Sequence, residues 1–78
     1  MKTFADLLDE RAIAVESVVR RLKIGRTAVY YWRSGEKMPR VQARAALARM
    51  LQITPRTLLS ALREGQRQFA RQERRRVS

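Results

Sequence analysis

Between Val15 and Gly35 the chain carries two short helical periods separated by three residues. Val15, Val18, Val19 and Leu22 recur at i, i+3, i+4 and i+7, the apolar stripe of one α-helix. That stripe stops at Lys23-Ile24-Gly25, and Gly25 can serve as a permissive N-cap for a second helix. Val29 and Trp32 are the inward pair of this second helix. At about 3.6 residues per turn its other side carries Thr27, Tyr30, Tyr31 and Ser34, with Arg26 at the tip. The spacing therefore predicts helix, tight turn, helix, then a loop led by Gly35 and closed by Pro39. A short helix with a polar, aromatic and cationic outer face, set off by a turn from an amphipathic helix, has a form that enters a DNA major groove.

The flanking segments predict three more helices. Thr3 and Asp6 form a capping box, and a first helix over about 4–11 buries Phe4, Leu7 and Leu8 and wets Asp6, Asp9 and Glu10. Ile13 and Ala14 link it to the second helix, 15–22, whose Arg20 and Arg21 lie outside the stripe. The third helix spans 26–34. A fourth covers 41–51, with Val41, Ala45, Leu47, Ala48 and Leu51 inward and Arg40, Gln42, Arg44 and Arg49 outward. Thr54 caps a fifth helix, with Pro55 at its first position and Leu58, Leu59 and Leu62 facing the core. The chain then divides into a domain over 1–62 and an Arg-rich extension over 63–78, helical or partly disordered. In that extension Gly65 weakens the helix and Arg71 marks its expected end. Leu62 and Phe69 could form a small dimer contact, or the arginines could add non-specific affinity.

Composition removes several classes of function. The 78 residues contain no cysteine and no histidine, so no disulfide, thiolate or imidazole metal site, or Ser/His or Cys/His catalysis is expected. The few carboxylates cluster in the first helix, so an enzyme is not expected, nor is a cofactor. No apolar run approaches the roughly 18 residues of a membrane span, and the acidic N-terminal stretch MKTFADLLDE does not read as a signal peptide. Net charge is +11, and residues 17–50 hold nine basic side chains against one acidic one. Positive charge thus overlaps the helix-turn-helix segment and returns in the tail. Polyanions are the expected partners, nucleic acid ahead of a membrane surface.

Three blocks carry a resemblance over residues 4–62: VVRRLKIGRTAVYYWRSG, then GEKMP from Gly35 to Pro39, then the ALARMLQITPRTLL stretch that includes Leu47 to Leu59. Their joint spacing resembles the Cro/C1-type (XRE-like) helix-turn-helix domains of phage repressors and bacterial regulators. The resemblance implies an all-α, compact five-helix lambda-repressor-like domain with a basic C-terminal extension. It implies a sequence-specific, double-stranded DNA-binding transcriptional regulator or repressor, a homodimer on a near-palindromic operator, in the bacterial cytoplasm at the nucleoid. By position in the motif, Arg26, Thr27, Tyr30 and Tyr31 would meet base edges, Arg26 through a bidentate contact to guanine. Lys37, Arg40, Gln42 and Arg44 would hold phosphates, with Arg20, Arg21, Lys23 and Ser34 as auxiliary contacts. The chain departs from the family where Val15 replaces a frequent Gln, Val19 an Ala, Lys23 a Gly, Gly25 a Ser or Thr, and Arg33 a Glu. Lys at the left-handed turn position would cost about 1 kcal/mol. The other readings are a protein-interaction module such as an antitoxin, bound to a protein partner, and a non-specific nucleic-acid coat.

Overall fold

The computed structural model describes residues 1–77; Ser78, the last residue of the expected extension, lies outside the described residues. Five α-helices follow one another: α1 (Phe4–Glu10), α2 (Val15–Leu22), α3 (Arg26–Ser34), α4 (Val41–Leu51) and α5 (Pro55–Val77), with no strand among the described residues. The capping box forms as expected. The Asp6 amide donates to the Thr3 hydroxyl at 3.2 Å, and the Thr3 amide donates to the Asp6 carboxylate at 3.0 Å.

Three helices end in the same way, and none of them uses glycine. Ala12, Lys23 and Gln52 take the left-handed conformation at φ 53°, 56° and 57°. In each case the next residue is an isoleucine whose amide reaches back five residues: Ile13 to the Leu8 carbonyl at 2.9 Å, Ile24 to Val19 at 3.3 Å, and Ile53 to Ala48 at 3.0 Å. All three isoleucines then pack against the core. This is the Schellman return, with its apolar contact after the turn. Burying an isoleucine three times over offsets the cost of the left-handed residues.

Phe4 and Leu8 of α1, Val18 of α2, Val29 and Trp32 of α3, Leu47 and Leu51 of α4, and Leu58 and Leu62 of α5 form one core. α1 packs on α3 and α5, α2 on α3 and α4, and α4 on α5. Arg11 ties α1 to the end of α4 by donating to the Leu51 carbonyl at 3.1 Å. Arg33 reaches Asp9 of α1 at 3.3 Å. That ion pair gives a reason for a cation where the resembled family often carries Glu.

A close backbone approach joins α3 to α5. Gly35 ends α3 at φ +87°, and a Cβ built there would stand 2.2 Å from the Gly65 carbonyl oxygen. A Cβ on Gly65 itself meets only ordinary contacts, at 3.8 Å and beyond. Gly65 therefore lies beneath the cap of α3, and α5 runs through it without a break.

Three expectations are corrected. α5 does not stop near Arg71 but continues to Val77, because its first turn past the body is anchored. The nearly buried Glu64 carboxylate accepts from Arg67 at 2.7 and 3.2 Å, from Gln68 at 3.2 Å and from Arg71 at 3.4 Å. Leu62 is 3% exposed and belongs to the core, so it cannot supply a dimer contact beside Phe69. Val41 is 69% exposed rather than inward, because the buried stripe of α4 is Leu47, Ala48 and Leu51 and in its first turn Ala43, not Val41, packs against the core. No helix among the described residues is long and apolar enough to cross a membrane.

Gly35→Ala should lower unfolding free energy by about 3 kcal/mol or more, since it adds an overpacking clash to left-handed strain. Gly65→Ala should be neutral or stabilising by up to about 1 kcal/mol. Urea titration of the two variants checks the contrast. Hydrogen bonds from Arg67 and then Gln68 hold the Glu64 carboxyl below its ordinary 4.5, against the opposing effect of burial. A depressed folded value means that Glu64 adds stability above 4.5 and loses it as pH falls through that lower value. The melting-temperature gap between wild type and Glu64→Gln should therefore be full at neutral pH and shrink across that acidic window.

Candidate nucleic-acid interface

The exposed outer row of α3 follows from its inner one. Val29 is fully buried and Trp32 is 8% exposed, which fixes the rotation of the helix about its axis. Arg26, Thr27 and Tyr30 then face outward, Tyr30 at 52% exposure. Tyr31 turns to the flank and is half-buried, with the Lys37 ammonium 4.5 Å from its ring centre. Such a cation over an aromatic face draws the loop after α3 against the helix.

A groove of about 460 Å³ runs between α3, that loop and the start of α4. Thr27, Tyr31, Lys37, Arg40 and Gln42 line it together, over apolar ground from Ile24, Ala28, Trp32, Met38 and Ala43. Five of the eight expected base and phosphate contacts thus share one concavity. Arg26 and Tyr30 stand beside it on the outer row. Arg44 belongs elsewhere: its guanidinium donates to the Pro39 carbonyl at 2.9 Å, and its side chain lines a separate groove with Val41, Ala45, Pro55, Arg56 and Leu59. It braces the entry to α4.

The auxiliary residues divide similarly. Ser34 is engaged in the turn, where its hydroxyl donates to the Tyr31 carbonyl at 3.1 Å and accepts from the Glu36 amide at 3.2 Å. Arg20, Arg21 and Lys23 are exposed on and just after the last turn of α2, where cations also favour the helix dipole.

Glu16 is a partner that sequence reading missed. Its carboxylate holds the Arg26 guanidinium at 2.5 Å, across the first turns of α2 and α3. Both side chains are more than half exposed, so the pair adds little to stability. Its effect is to park the cation at the tip of α3. Linear spacing carried no signal for this contact, because it depends on the angle between two helices. The apolar ground was missed too, since Ile24 and Met38 lie in turns where no period could flag them.

Comparison with known proteins found no matching family model, no matching curated protein and no matching solved structure.

The Lys23 backbone, at φ 56° and ψ 49°, sets the step from α2 to α3. Lys23→Gly should raise stability by about 1 kcal/mol by removing left-handed strain, or about 4–8 °C in melting temperature for a domain of this size. Calorimetry of the variant checks it.

Proposed function

We propose that this chain is a lambda-repressor-like helix-turn-helix domain that binds double-stranded DNA sequence-specifically and acts as a transcriptional regulator in the bacterial cytoplasm. In this reading α3 enters the major groove. Arg26 pairs with guanine N7 and O6, the Thr27 methyl meets a thymine methyl, and Tyr30 adds a ring or hydroxyl contact. Tyr31, steadied by Lys37, borders the sugar-phosphate strand. Lys37, Arg40 and Gln42 hold phosphates and set the register without reading sequence. Two copies on a near-palindromic site would place their reader helices about 34 Å apart.

One observation carries the reading: the exposed outer row of α3 adjoins a groove whose rim supplies Lys37, Arg40 and Gln42. Side chains suited to bases and side chains suited to phosphates thus stand next to one another. The charge distribution supports it, since residues 17–50 hold most of the excess positive charge.

Selection of binding sites from random duplex DNA at two salt concentrations tests the proposal. A short, near-palindromic consensus should emerge at both. Arg26→Ala should relax preference at one base position per half-site, at about 1–3 kcal/mol of discrimination. Lys37→Gln should weaken all sequences alike and reduce the salt slope by about 1. Enrichment of no sequence, or an unchanged consensus for Arg26→Ala, would remove the reader role from α3.

A further inference from the structure

α5 is far longer than the core requires, and its outer side is patterned. Arg56, Arg63, Arg67 and Arg74 follow one another at steps of 7, 4 and 7 residues. At about 100° and 1.5 Å per residue they fall within about 40° of one line and span about 27 Å of helix. All four are exposed. The acidic residues of the helix, Glu64 and Glu73, lie about 80–100° off that line. Glu64 instead pins Arg67 from the side, and that arginine remains 56% exposed.

This ridge does not face the same way as the reader helix. α5 packs on α1, α3 and α4 through the opposite face, where Leu58, Ala61, Leu62 and Gly65 are buried. The C-cap of α3, Gly35, touches that inner face at Gly65. From there α3 runs back to Arg26 at its other end, about 13 Å along its axis. α5 therefore stands between the reader helix and the ridge.

The chemistry of the ridge selects its partner. A straight row of guanidinium groups matches a linear array of phosphates, and neutralising them releases counterions. A protein partner would call for an aromatic or apolar centre; among the described residues large apolar side chains come near the line at its first turns, where Arg56 borders the groove of Val41, Ala45, Pro55 and Leu59, and the length from Arg63 to Arg74 carries none. A single strand would call for stacking aromatics, and Phe69 lies on the far side of the helix. A second copy of this face would be repelled by like charge. We propose that the outer face of α5 is a second nucleic-acid surface, which grips the phosphates of a further double-stranded DNA segment without reading its bases. That the segment is an additional one rests on the function proposed above for α3; the grip on phosphates does not.

The test is a bridging assay. One duplex, carrying the selected site, is tethered to beads, and an unrelated fluorescent duplex is offered in solution with the protein. The variant Arg56→Gln, Arg63→Gln, Arg74→Gln leaves Arg67 and Arg71 on Glu64. The matched Arg→Lys triple variant keeps the charge. Wild type and the Lys variant should both capture the second duplex. The Gln variant should bind the tethered site within about threefold of wild type, yet lose capture by at least about tenfold and lower its salt slope by about 2–3. Full capture by the Gln variant would assign bridging to dimerisation and overturn the proposal. So would no capture by wild type, or poly-glutamate competing as well as duplex DNA at equal charge. If no preferred site exists, two unrelated duplexes replace the pair. Loss of capture by the Gln variant would then still support the ridge while the reader role of α3 fails.

Discussion

The end of α3 meets the middle of α5 with no side chain between them. Gly35 is held there at φ +87°, and the Gly65 carbonyl occupies the space where any Cβ at Gly35 would be. That approach does more than cap a helix. Trp32 and Val29 are buried on the inner side of α3, so they fix how the helix is rotated about its axis. Gly35 fixes where its far end lies. Together they determine which side chains are left outside: Arg26, Thr27 and Tyr30. The loop that follows is then short enough for Lys37 to fold back onto Tyr31. The lining of the groove beside α3 is thus a consequence of packing on its opposite side.

Much of this could be read from residues alone, and the reason is local. The Thr3–Asp6 box, Pro55 at a helix start and Gly35 at a helix end are each decided within about one turn of chain. The bounds of α2, α3 and α4 agree with those signals. The failures share a different cause. Val41 has the right period for α4 but is left exposed beside Ala45, Pro55 and Leu59, and periodicity reports a face without saying how far the neighbours cover it. Arg44 reads as one more surface cation until the Pro39 carbonyl is seen within its reach. The partnership of Glu16 and Arg26 depends on a helix crossing angle. Ala12, Lys23 and Gln52 lack the glycine that usually signals a left-handed cap; the isoleucine that follows each was the available signal.

Those three isoleucine returns also explain how so short a chain holds its turns. A glycine would relieve strain in each turn but widen the unfolded ensemble. Here the apolar residue after each turn is drawn into the core and drags the left-handed residue with it. The turn between α2 and α3 is one of the three, so the step that the Lys23 backbone sets there is held by Ile24 packing against the core. This accounts for a turn that works without the residue type that the resembled family prefers there.

The carboxylates show why the surface is so positive. Asp6 caps α1, Asp9 holds Arg33, Glu10 pairs with Lys2, Glu16 holds Arg26, and Glu64 anchors the exposed half of α5. Nearly every acid is engaged with a group of the chain itself. The surplus of +11 is left on the outside of a body with a Cα radius of gyration of only 12.3 Å. Self-repulsion at that density works against the compact state and grows as salt is removed. A polyanion that gathers those cations relieves the repulsion in the folded state, where they are ordered in rows. It therefore stabilises the fold in proportion to how much better it binds the native chain than the unfolded one. Folding and the binding of any polyanion would draw on the same charges, and low salt would strengthen the link between them.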